Sequence, residues 1–91
     1  DAFQSVVVEL PEVTDAALQD ALRSLIQRYT IYRVKGFVAV PGKPMRLVVQ
    51  GVGQRIDSHF DRRWQDDEPR RTRLVLIGRD LDGVLLEREL L

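Results

Sequence analysis

Gly36, Gly42 and Lys43 fall within RVKGFVAVPGKPMRL (residues 33–47), and glycines followed by a lysine are the ingredients of a phosphate-cradling loop. That chemistry requires G-x-x-x-x-G-K-[ST], with backbone amides wrapped around the phosphates and a hydroxyl on Mg²⁺. Here five residues separate the glycines instead of four, and Pro44 stands where the hydroxyl is needed. Proline also removes an amide donor. FVAVP reads as strand and PGKP as turn, so the stretch is a β-hairpin. GVG at 51–53 fails as a dinucleotide fingerprint, because Ile56 occupies the third glycine position. It is a bend between strands.

The only histidine lies in Asp57-Ser58-His59-Phe60-Asp61. In an extended strand Asp57, His59 and Asp61 share one side, which makes them weak candidates for a divalent-metal site. A solvated sheet face explains the same pattern and is the reading we favour, since no second histidine exists to complete a transition-metal shell. Asp66, Asp67 and Glu68 read as a solvated acidic loop, and Arg70, Arg71 and Arg73 as charges guarding a sheet edge. Arg33, Lys35 and Phe37 share a strand face. An aromatic flanked by cations suits contact with a phosphate or an acidic partner, as does a face simply packed by long side chains. With one histidine and no cysteine, nucleophilic and metal-dependent catalysis lack parts. This region is expected not to be an enzyme.

Composition narrows the class further. Ninety-one residues suit one domain, here residues 1–91, and a small core. The absence of cysteine excludes disulfides and fits a reducing, cytoplasmic setting. No apolar run is long enough to cross a bilayer, so no membrane partner is expected. Residues 33–82 carry eleven Lys or Arg against seven Asp or Glu, while residues 1–32 carry two against five. Such asymmetry favours an anionic partner but is far below a nucleic-acid-binding charge. A chain that starts at Asp1 and stops within DGVLLERELL reads as a piece cut from a longer protein.

These residues need elements to position them. FQSVVVEL (3–10) is β-branched and ends at Pro11, as a strand does. Thr14 is placed to cap a helix in which Leu18, Ala21, Leu22, Leu25 and Tyr29 form one apolar stripe. Tyr32, Val34, Val38 and Val40 alternate with Arg33, Lys35, Phe37 and Ala39, and MRLVVQGV pairs back on them. Gly36 within that strand predicts a bulge or a close approach by another backbone. QRIDSHFDRRW supplies a further strand, placing Ile56, Phe60 and Trp64 on one face. RTRLVLIG, apolar on both faces, reads as a central strand. DLDGVLLERELL closes with a helix capped by Asp80 or Asp82. The order β-α-β-β-β-β-α predicts an α+β fold, a mainly antiparallel four- to five-stranded sheet with two helices.

Taken together, Arg33–Gly36, Leu47–Gly53, Asp61–Trp64 and Arg73–Asp82 resemble the R-x-KG, QGVG, D-x-x-W and IGrdlD segments of CobW-type C-terminal domains. The resemblance covers nearly the whole chain. It implies a full-length two-domain GTPase acting as a metallochaperone, with GTP, Mg and a transition metal (cobalt or zinc) handled outside this region. The family's GTP site and C-x-C-C metal motif belong to the N-terminal domain, and neither is in this sequence. The implied partners are the protein's own N-terminal GTPase domain, a cobaltochelatase or other metalloprotein client, or a second copy in a homo-oligomer. On this reading the region is an accessory, regulatory domain serving cobalt insertion in cobalamin synthesis. The alternative is a free-standing α+β binding module for an anionic ligand or nucleic acid, for which the aromatic pairs of an RNA-binding sheet are missing.

Overall fold

A computed structural model describes residues 3–91 and contains the seven elements in the expected order. They are β1 (Gln4–Leu10), α1 (Asp15–Arg28), β2 (Thr30–Val38), β3 (Met45–Val52), β4 (Arg55–Arg63), β5 (Thr72–Arg79) and α2 (Gly83–Leu90). All five strands form one antiparallel sheet in the order β1-β5-β2-β3-β4.

Local chemistry sets the boundaries. The Thr14 hydroxyl accepts from the Ala17 N–H and starts α1, and Asp82 accepts from Val84 and Leu85 to start α2. Asp80, the other candidate cap, instead adopts a left-handed conformation at φ 54 in the turn before the helix. Gly42, at φ 75, sits in the β2–β3 turn, so the glycine-lysine stretch is a hairpin. Gly36 is where a second backbone comes close. A Cβ there would lie closer than 3.0 Å to the carbonyl oxygen of Arg73 on β5.

Both helices lie on one face of the sheet. Leu18, Leu22 and Leu25 of α1 and Leu86 and Leu90 of α2 join Val8, Leu10, Val34, Val38, Leu47, Val49, Leu74 and Leu76 in a single core. Burying each such side chain contributes roughly 1.5–3 kcal/mol before entropy is set against it. Thr72 is the buried polar residue among them, and its Oγ1 accepts from the Ala39 N–H at 3.0 Å. Edge strand β1 is tied to the α2 end of the molecule. The Gln4 side chain exchanges two hydrogen bonds with the Leu81 backbone, and the Glu9 N–H donates to Glu87.

Two irregularities change what the plain alternation predicts. Register shifts between Ile31 and Arg33, so Ile31 is buried and Tyr32 turns outward, where its ring meets Phe3 edge-on at 5.3 Å. A second shift between Arg46 and Leu47 leaves Asp61 as the extra residue on β4. Ile56 packs on the core as expected, but Phe60, before that bulge, is largely exposed. The arginine run also stands elsewhere than expected. Arg73 is on β5, inside the sheet between β1 and β2, while the true edges are β1 and β4.

Candidate interaction face

With both helices on one side, the sheet leaves its other face open. Alternation brings Val7 and Glu9 of β1, Arg73, Val75 and Ile77 of β5, and Arg33, Lys35 and Phe37 of β2 to that face. Val48, Gln50 and Val52 of β3 continue it. Cross-strand pairs fix the neighbours: Phe37 lies between Val48 and Arg73, Lys35 between Gln50 and Val75, and Arg33 between Val52 and Ile77. The three residues singled out in the sequence thus occupy the middle strand of an apolar floor.

The floor is not flat. One hollow of about 310 Å³ is bounded by Lys35, Phe37, Val48, Gln50, Arg73 and Val75. Another of about 260 Å³ follows along β2, between Arg33, Lys35, Gln50, Val52 and Ile77. A third, beside Tyr32 and Phe3, ends the row at Arg79. The row runs beside two unequal sets of cations.

Arg46 is fully engaged. Its guanidinium carbon lies 3.6 Å from the centroid of the Phe37 ring, a cation–π stack. Its Nε donates to Asp61 Oδ1 at 3.1 Å and its Nη2 to Oδ2 at 2.5 Å, a bidentate pair. The Arg46 hydrogen bonds hold the Asp61 carboxyl below its usual range. Glu68 extends the cluster. It accepts two hydrogen bonds from Arg62 (2.9 and 2.8 Å) and one from the Gln65 N–H (2.9 Å), and lies 3.9 Å from Arg46. The Arg62 hydrogen bonds, then the Gln65 amide, bring its carboxyl down from an ordinary 4.5 to about 2. Glu68 is therefore a built-in anion and not part of a loosely solvated run. Nothing in its sequence neighbourhood marks it apart from Asp66 and Asp67. Arg33 and Lys35, by contrast, have no acidic partner among the described residues.

The depressed Glu68 carboxyl has a pH consequence. Because its folded-state value lies below its unfolded one, its contribution is complete above about pH 4.5 and is lost as pH falls toward about 2. The melting temperature is expected to fall across that window, and Glu68→Gln to flatten the fall. Asp61 and Glu89, lowered by Arg46 and Arg28 respectively, leave a residual slope. Melts followed by circular dichroism at stepped pH check this. An unchanged slope in the variant would detach Glu68 from the effect.

The same geometry separates the metal candidates. Asp61 is held by Arg46, Asp57 pairs with Arg55 at 3.2 Å, and His59 stands opposite Val48. Among the described residues no three His, Cys, Asp or Glu side chains are arranged to hold a metal ion. Nor do the residues fit GTP and Mg. Gly36 is inside a strand and Gly42 in a hairpin turn, so no amide loop is formed.

Residues 3–91 match the model of the cobalamin synthesis protein CobW C-terminal domain. The chain belongs to that family. This CobW C-terminal domain is 59% identical over 83 residues to the zinc chaperone CobW of Pseudomonas aeruginosa, covering 91% of the chain and 22% of that protein. It is 52% identical over 84 residues to the zinc chaperone CobW of a Sinorhizobium species, covering 90% and 24%. The crystal structure of the Zn(II)-bound YjiA GTPase from Escherichia coli superposes with a TM-score of 0.81 at 29% identity, over 96% of this chain and 28% of that one. The chain spans about a quarter of the length of these relatives.

The segments that carried the resemblance prove largely architectural in this CobW C-terminal domain. Gly36 admits the β5 backbone, Asp61 fixes Arg46, and Asp80 and Asp82 turn the chain into α2. The Arg70 guanidinium lies 5.9 Å from the Trp64 ring centroid while bonding Glu12 and the Val40 carbonyl, which anchors the loop before β5.

Proposed function

We propose that this region is a non-catalytic accessory domain of a GTP-dependent metallochaperone, and that it acts through protein contacts made by the open sheet face. The observation that carries this reading is the asymmetry of the sheet. One face is sealed by two helices, and the other keeps an apolar floor with Arg33 and Lys35, cations without an acidic partner among the described residues, beside Phe37. Exposed apolar surface rimmed by charge is the composition of an interaction site.

The relatives' name, zinc chaperone, supports zinc as the cargo of the whole protein. Cobalt insertion through a cobaltochelatase is a narrower reading, supported by the family description's link to cobalamin synthesis. Elemental analysis of the full-length protein after exposure to equal zinc and cobalt separates the two. A protein contact is favoured over nucleic acid because Arg46 already covers one side of the Phe37 ring, leaving a poor stacking platform.

The test is the double charge reversal Arg33→Glu/Lys35→Glu in the full-length protein. Metal transfer to an acceptor protein, or assembly, is expected to weaken by about tenfold, the scale of one lost charged contact. If transfer and assembly both match the parent protein, the docking role is wrong.

A further inference from the structure

We infer that the open face is covered, in the full-length protein, by an acidic amphipathic segment of the same polypeptide from outside residues 3–91. The inference rests on the docking reading above and names the occupant. Its carboxylates pair with Arg33 and Lys35, and its apolar side chains enter the hollows along β2.

Charge comes first. Of the open-face cations, Arg46 is matched by Asp61, Arg55 by Asp57 and Arg73 by Glu9 at 3.8 Å. Three cations of this face have no acidic partner among the described residues: Arg79 on β5, at the end of the row over the Phe3 ring, and Arg33 and Lys35 in the middle of the floor on β2. The complement of this surface is a segment bearing two carboxylates in step with Arg33 and Lys35.

Shape comes next. The hollows of about 310 and 260 Å³ share Lys35 and Gln50 and succeed each other along one strand. Lys35 and Arg33 are two residues apart, so the sites repeat at about 6.6 Å, the i to i+2 spacing of a strand. A helix offers about 6 Å from i to i+4. Either segment can place successive apolar side chains in successive hollows. Phe37 is preset as one wall, because Arg46 is stacked on it and locked by Asp61.

Tethering decides between the same chain and a separate one. The hollows are shallow depressions on an open sheet face, which hold a free partner weakly. A linked segment competes at an effective concentration on the millimolar scale. The relatives have roughly three quarters of their length outside the matched region, which is ample chain to supply it.

Chemical cross-linking tests this, because Lys35 and Lys43 are the only lysines in these 91 residues. Lys43 lies exposed in the hairpin turn and serves as the internal control. Full-length protein, mixed equally from unlabelled and heavy-nitrogen-labelled material, is treated with a carbodiimide that joins amines to carboxylates without a spacer. Peptide mass spectrometry is expected to find Lys35 joined to an Asp or Glu outside residues 3–91, with no mixed-isotope pairs, and Lys43 not joined there. Arg33→Glu is expected to reduce the Lys35 product by about tenfold.

Mixed-isotope pairs at Lys35 would overturn the inference in favour of a second copy. Products formed only with an added acceptor protein would also overturn it, while leaving the docking reading intact. If Lys35 forms no product and reacts with a small activated ester as fast as Lys43, the face is uncovered and the inference fails. Should Arg33→Glu/Lys35→Glu then leave transfer and assembly unchanged, the docking reading fails with it.

Discussion

Gly78→Ala is expected to remove at least about 4 kcal/mol and leave the domain largely unfolded. Gly78 is on β5 and pairs with Gln4 of β1 on one side and Ile31 of β2 on the other. A Cβ there would sit closer than 3.0 Å to the carbonyl oxygen and carbon of Thr30. Those are backbone atoms of the neighbouring strand, beside the register shift between Ile31 and Arg33, so no side-chain rotamer can relieve the overlap. Relief requires β2 and β5 to separate, and the core residues Val34, Leu74 and Leu76 are held between them. Gly36→Ala, facing the Arg73 backbone in the same way, is expected to match it. Denaturant titrations followed by far-UV circular dichroism read both. A midpoint close to that of the parent protein would mean that the strands are less closely opposed than described.

Leu76→Ala is expected to cost about 2–5 kcal/mol, by lost transfer energy and by the cavity left behind. Leu76 is fully buried on the internal strand β5, with Val6 and Val34 as its cross-strand neighbours. Val52→Asp, on the opposite face, is expected to change stability by no more than about 1 kcal/mol, since Val52 is 60% exposed. It should nonetheless weaken docking, because Val52 lines the hollow beside Arg33. The pair separates the two faces by readout: one variant moves the melt, the other the contact. Equal losses of stability would show that the open face belongs to the folding core.

Much of this architecture could be read from residues. The apolar stripe of α1, its Thr14 cap, the PGKP hairpin and the two-sided apolarity of β5 each follow from local spacing. The strand read from QRIDSHFDRRW forms over Arg55–Arg63. The sheet order could not be read that way. β5 inserts between β1 and β2, a pairing between residues more than sixty positions apart for β1, and periodicity carries no partner information over such spans. That is why Arg73 reads as an edge charge and is not one.

The bulges escaped for a related reason. Tyr32 turns outward, and the alternation of β4 shifts after Asp61, where one strand gains a residue over its neighbour, a mismatch visible only when both strands are in place. Of the candidate site, Arg33, Lys35 and Phe37 were legible as one strand face. Arg46 and Glu68, which set the Phe37 wall, come from β3 and from a loop, and no spacing links them to it.

The position of β5 also bears on how the chain is made. As residues leave the ribosome in order, β2, β3 and β4 can pair as successive hairpins, while β1 has no neighbour until residues 72–79 emerge. Until then the β1 backbone and the inner edge of β2 are both unsatisfied, and the core lacks Leu74 and Leu76. The last strand to be synthesised but one element is thus the keystone, and completion of the domain is a late, nonlocal event. A nascent chain arrested before Thr72 would display two more open strand edges than the finished sheet, the form most in need of a chaperone's shelter.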